Sequence, residues 1–104
     1  MSYQTLSQYL KVIADSSRLE ILDLLSCGEL CACDLLEHFE FSQPTLSHHM
    51  KLLRENDLIL MRKDGNKNMY RLNKAVIENL TDKLSLLSSE AVPCICHDMD
   101  KGSC

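Results

Sequence analysis

The stretch GELCACDL, Gly28–Leu35, places Cys31 and Cys33 one residue apart at an expected helix start. Thiolates are soft donors that suit soft ions, whereas magnesium and calcium prefer oxygen. Residues two apart on an α-helix point about 200° apart, so two such sulfurs reach one ligand only where the helix begins at or inside the pair. With Cys31 in extended backbone ahead of the first turn, its sulfur can swing to meet that of Cys33. A helix start also favours thiolate, because unpaired N–H groups and the helix dipole stabilise negative charge. The plain alternative for either cysteine is a small core residue.

The chain has six cysteines in all, at 27, 31, 33, 94, 96 and 104. They lie mostly in two tight groups, where core cysteines would scatter. The opening MSYQTLSQYLKVIAD does not resemble a signal peptide. No apolar run approaches the roughly 20 residues needed to cross a bilayer. These features predict a cytoplasmic protein with reduced thiols and no membrane association, in which clustered cysteines point to metal or redox chemistry. Cys27 is a further candidate ligand, reaching the pair through the turn at Gly28; its alternative is a core thiol. Cys94 and Cys96 face one side in extended backbone and could fold back or reach from a partner chain. A small-molecule thiol, or two-coordinate binding, would also complete the site. His97 reads as an exposed imidazole beside them.

Net charge is −4 over 104 residues, which by itself argues against nucleic acid. Its distribution argues otherwise. Residues 1–41 carry −5, residues 42–74 carry +4 and residues 75–104 carry −3. The middle third is a cationic island with two histidines, and a phosphate backbone responds to the local patch.

The elements that position these groups follow from periodicity. Apolar residues at 6, 9, 10 and 13 mark a first helix. Asp15-Ser16-Ser17 interrupts it, and Ser17 with Glu20 has capping-box spacing for a second helix, closed by Gly28. A short helix covers about Cys33 to Phe39. Ser42 caps the next, with Pro44 in its first turn and its end near Asn56. The strand-like LILMRK and NMYRL flank Asp64-Gly65, a hairpin signal. A last helix spans about Lys74 to Ser88.

On the helix from Ser42, steps of about 100° bring Leu46, Met50, Leu53 and His49 to the packed side. Ser47, Lys51 and His48 fall outward, with Gln43 in the first turn. Gln43 and His48 can exchange hydrogen bonds with base edges, while Thr45, Ser47 and Lys51 can hold phosphates. Arg62, Lys63 and Lys67 cluster at the hairpin tip, where they suit a neighbouring backbone or guard an exposed strand edge. The order of elements predicts a mainly α (α+β) winged helix–turn–helix of about five helices with a two-stranded β-hairpin wing. It occupies residues 1–90, followed by a flexible, cysteine-bearing tail at 91–104. A core this small gains from pairing, and the leucine stripes of the first and last helices, Leu6, Leu10, Leu80, Leu84 and Leu87, are the expected homodimer contact.

DSSRLEILDLL, GELCACDL, SQPTLSHHMKLL and RKDGNKNMYRL resemble the ArsR/SmtB family of small metal-responsive repressors across about residues 5–90. The nearest likeness is to the arsenical-resistance repressors of Gram-positive bacteria. The resemblance implies a homodimeric repressor that leaves a palindromic operator when a toxic metal or metalloid binds. It places the two ligands on Cys31 and Cys33, and arsenite or antimonite, As(III) or Sb(III), as the inducer, with no organic cofactor. A well-known arsenite-sensing pattern has a third cysteine where this chain has Leu36. The last helix has Asp82 but no histidine, so the family's interhelical zinc site is not expected.

Two rivals remain open within sensing. One is a cadmium, lead or zinc repressor, although such members usually carry N-terminal cysteines and residues 1–26 have none. The other is a repressor switched by thiol oxidation. Enzymatic activity is not expected: the chain offers no glycine-rich anion loop and no catalytic constellation in a cleft.

Overall fold

The computed structural model describes residues 1–88 of the chain. The expected tail at 91–104, with Cys94, Cys96 and Cys104, lies outside the described residues. Helix α1 (Tyr3–Ile13) starts at Ser2, whose hydroxyl accepts from the Thr5 N–H. Helix α2 (Ser16–Ser26) starts at Asp15, whose carboxylate accepts from the Arg18 N–H at 3.1 Å. The expected Ser17–Glu20 capping box does not form. Asp15 is the extended residue (φ −147°, ψ 129°), whereas Ser17 already lies inside the first turn, and a residue with helical dihedrals cannot also be the cap. Gly28 follows the end of α2 with φ +142° and donates to the Leu25 carbonyl, a conformation that favours glycine.

After Gly28 the chain forms strand β1 (Leu30–Cys31), then helix α3 (Ala32–His38) and helix α4 (Gln43–Glu55). Ser42 caps α4 with Pro44 in its first turn. Strands β2 (Ile59–Asp64) and β3 (Lys67–Leu72) make the hairpin, and helix α5 (Lys74–Ser88) ends the described chain. The hairpin register pairs Asp64 with Lys67, leaving Gly65 (φ +62°) and Asn66 as its loop.

The wing therefore differs from the expected two strands. β1 adds a third, antiparallel to β3, in the order β1-β3-β2, with Leu30 opposite Tyr70 and Cys31 opposite Met69. A two-residue strand has too few positions to show a period-2 pattern, which is why the hairpin alone was legible.

Ile21, Leu35, Leu53, Leu58 and Ile59 are fully buried, so one core joins α2, α3, α4 and β2. Leu6 and Leu80 belong to this same core, so two of the five leucines expected at a dimer contact close onto their own chain. Leu10 is half-buried, whereas Leu84 and Leu87 are 38% and 72% exposed. No helix among the described residues is long and apolar enough to cross a membrane.

Helix α4 ends on Asn56, after which Asp57 adopts φ 58°. The Asp57 N–H donates to Arg54 and the Leu58 N–H reaches back to Leu53. This is the paired-bond helix stop in which the left-handed residue is usually glycine, with Leu58 and Leu53 both buried beneath it. Asp57→Gly should relieve the Cβ strain and raise the unfolding free energy by about 0.5–1 kcal/mol, read as a higher urea midpoint at unchanged slope.

Candidate metal centre and nucleic-acid interface

Cys31 ends β1 and is also the N-cap of α3, in extended backbone (φ −84°, ψ 162°). Its Sγ accepts from the Asp34 N–H at 3.2 Å, and the Asp34 carboxylate accepts from the Cys31 N–H at 3.1 Å. Sulfur thus takes the oxygen's place in a reciprocal capping box. The helix begins between the two cysteines, as their spacing requires for convergence; in place of the expected reduced thiols, Cys31 and Cys33 are joined by a disulfide with Cα atoms 5.3 Å apart. Cys31 is 4% exposed, while Cys33 is open to solvent.

Ligand atoms of Cys31, Cys33 and Asp34 lie within 4.8 Å of one another. In the thiol form two soft donors stand together, a set that fits a thiophilic ion. The Asp34 oxygen is a hard donor already engaged in the cap, and so a poor third ligand for such an ion. Cys27 does not join the cluster: it is the exposed C-cap of α2 and lines a separate cleft with Leu60 and Arg71. Leu36, at the position where the arsenite-sensing pattern has a third cysteine, is half-buried beside the pair.

Helix α4 has a packed and an exposed face. Leu46, Met50 and Leu53 are buried and His49 half-buried, while Gln43, Thr45, Ser47, His48 and Lys51 are exposed. Lys51 lies 3.9 Å from Glu55 one turn on, a surface pair that leaves the cation available. At the hairpin, Lys63 and Lys67 are exposed. Arg62 is engaged: its guanidinium grips the Glu29 carboxylate through both Nε and Nη2. That bidentate hydrogen bond, with the charge of Arg62, holds the Glu29 carboxyl below its ordinary range. No local pattern signals this partner, 33 residues away, which β1 pairing brings across the sheet.

Sequence periodicity also missed how α4 is held. Arg18 on α2 donates from Nε to the Val12 carbonyl and reaches His49 Nδ1 at 3.2 Å. Burial pushes the His49 imidazole below its ordinary value, which suits the neutral ring as acceptor. Phe39 stacks on Phe41 at 4.6 Å, and Phe41 meets the His49 ring at 5.5 Å. The turn between α3 and α4 is thereby packed onto α4 itself.

A cleft of about 340 Å³ joins these parts. Cys31 and Cys33 stand at one side, Gln43 and Ser47 of α4 at a second, and Asn66, Lys67 and Asn68 of the hairpin at a third.

The α3–turn–α4 pair flanked by a three-stranded wing defines a winged helix–turn–helix transcriptional regulator. Residues 15–59 match the family described as "Bacterial regulatory protein, arsR family". The chain is 59% identical to an arsenical resistance operon repressor of Staphylococcus aureus over the full length of both. It is 38% identical to the arsenical resistance operon repressor of Escherichia coli (strain K12), covering all of this chain and 92% of that protein. The structure of reduced HlyU from Vibrio cholerae N16961 superposes with a TM-score of 0.66 at 36% identity, covering 74% of this chain and 85% of that one. The chain belongs to the arsR family of bacterial regulatory proteins and is an ArsR-type transcriptional repressor; these relatives are regulators, not enzymes.

The burial contrast predicts thiol reactivity. After reduction, Cys27 and Cys33 should be alkylated rapidly by a maleimide, and Cys31 about tenfold more slowly or less, because modifying a buried thiol requires local opening. Peptide mapping of a timed, quenched reaction checks the order, and equal rates at 31 and 33 would contradict the burial.

Proposed function

We propose that this protein is an arsenite- and antimonite-responsive repressor of an arsenic-resistance operon, holding As(III) or Sb(III) on the thiols of Cys31 and Cys33. The observation that carries the reading is the shared cleft: the sulfur pair, the outward face of α4 and the hairpin tip line one space. A ligand captured at the sulfurs acts at the surface that would face DNA. The names of the S. aureus and E. coli relatives, both arsenical resistance operon repressors, support the choice of metalloid.

In this reading the chain acts as a homodimer. Leu84 and Leu87, with the exposed Leu86 and Tyr3, supply apolar surface on α5 and α1, while Leu6 and Leu80 anchor those helices to the core and Leu10 lies between. Two copies would read half-sites about one DNA turn apart. Gln43 and His48 read base edges, Thr45, Ser47 and Lys51 meet phosphates, and Lys63 and Lys67 follow the backbone. Arg62, tied to Glu29, orders the wing before it contacts anything.

A second reading is favoured by the disulfide itself: oxidation of the pair, rather than metalloid capture, could release DNA. Titrating a protein–operator complex separates the readings. Arsenite should release DNA from the reduced protein, and Cys31→Ser and Cys33→Ser should each bind operator with near-normal affinity yet hold it at arsenite levels that clear the unmodified protein. Normal release of either variant sinks the site assignment. Release by cadmium alone overturns the metalloid, and release by peroxide with indifference to arsenite establishes the oxidation switch.

The wing assignment has its own check. Lys67→Ala should weaken operator and non-specific binding alike and lower the slope of log K against log salt by about 1. An unchanged slope would remove Lys67 from the phosphate contacts.

A further inference from the structure

As(III) forms three bonds to thiolate sulfur, and among the described residues only two cysteine sulfurs converge. Cys27 opens onto a different cleft, and the Asp34 carboxylate is spent on the Cys31 cap. The space beside the exposed Cys33 is not blocked. It continues into the cleft, with an apolar floor of Leu36, Leu46 and Met50 and a rim of Gln43, Asn66 and Lys67. About 340 Å³ is room for a small organic molecule, and the rim offers two amides and a cation, which suit a carboxylate.

We propose that the third bond of the bound metalloid is made by a low-molecular-weight monothiol bearing a carboxylate, seated in this cleft with its methylenes on the floor and its carboxylate toward Lys67. This rests on the reading of Cys31 and Cys33 as the metalloid ligands. Chemically it is ligand exchange without change of oxidation state: As(OH)3, two protein thiols and one monothiol give a centre with three As–S bonds and three waters. The monothiol also supplies the thiol form, since two equivalents reduce the protein disulfide and leave as their own disulfide. The consequence for DNA is electrostatic. The carboxylate neutralises Lys67 and puts negative charge between the proposed reading helix and wing, where phosphates would approach.

The test uses the full chain, reduced with a phosphine that carries no thiol and loaded with arsenite. X-ray absorption at the arsenic edge counts As–S bonds. Two As–S bonds and one As–O bond are expected without monothiol, and three As–S bonds after adding 3-mercaptopropionate. The same counts are expected in a variant with Cys27, Cys94, Cys96 and Cys104 all changed to Ser. Three As–S bonds in thiol-free buffer, falling to two in that variant, would give the third place to the chain and overturn the proposal while leaving the metalloid site intact. Two bonds persisting with 3-mercaptopropionate would also overturn it. No As–S bonds at all would instead remove the underlying reading. In operator release, 3-mercaptopropionate should lower the arsenite needed for half-release about fivefold relative to the cationic cysteamine at equal thiol concentration, and Lys67→Ala should shrink that difference. Equal potency of the two thiols would remove the electrostatic consequence.

Discussion

Cys31 is restrained on both sides along the chain. Its backbone forms the last rung of the short ladder to β3 opposite Met69, while its side chain and N–H are bound to Asp34 at the mouth of α3. A residue so held can be neither wholly strand nor wholly helix. The direction of α3 relative to the wing follows from it, and so does the cleft between them. Without β1, the start of α3 would be tied to the sheet only through packing of Leu35 and its neighbours. With it, any group that pulls on the sulfur pulls directly on a sheet edge and a helix start. Glu29, two residues earlier, extends the tie to β2 through Arg62, so one short segment, 29–31, touches the whole sheet.

Much of this was legible in the sequence, for physical reasons that vary by element. The α4 helix carries a local cap at Ser42, Pro44 in its first turn and an apolar stripe of three residues, so its bounds and its exposed face could be read from the chain alone. The hairpin announced itself through Asp64-Gly65. The elements that escaped depend on distant partners or on competition between neighbours. Asp15 and Ser17 are both good cap residues, and backbone dihedrals decided for Asp15. The β1 strand exists only because β3 lies beside it. The Arg18–His49 contact joins residues 31 apart, and no local pattern signals that separation. In the site, the convergence of Cys31 and Cys33 was legible because a two-residue spacing permits it only at a helix start. The exclusion of Cys27 from the cluster was not, because the turn at Gly28 could have carried it either way.

The charge distribution acquires a sharper meaning from the fold. Of the basic side chains in the middle third, Arg62 is neutralised by Glu29 within the sheet, and Lys51 is shared loosely with Glu55. Arg62 is exposed as well, but among the described residues the hairpin-end cations without a carboxylate partner are Lys63 and Lys67. In a chain of net charge −4, long-range attraction to a polyanion is weak, and affinity must come from short-range contacts within about a Debye length of 8–10 Å. Such binding is easily reversed. A repressor built this way can be released by altering few contacts, since a hundredfold loss of affinity needs only about 2.7 kcal/mol.

That small requirement also bears on where an inducer should act. A ligand shifts an equilibrium only by its difference in affinity between two states, so a site remote from the DNA face needs a rigid route to transmit its preference. Here the candidate site and the proposed face border the same cleft, with Cys33 and Ser47 both lining it, so no long route is required. In the proposed reading, a ligand held there would change the charge of one surface, and in a dimer the change would be made twice, at half-sites whose separation DNA holds fixed. On that proposal, the protein's modest cationic surface and its sulfur pair would be parts of one balance: contacts weak enough to lose, and a ligand site placed where the loss would be made.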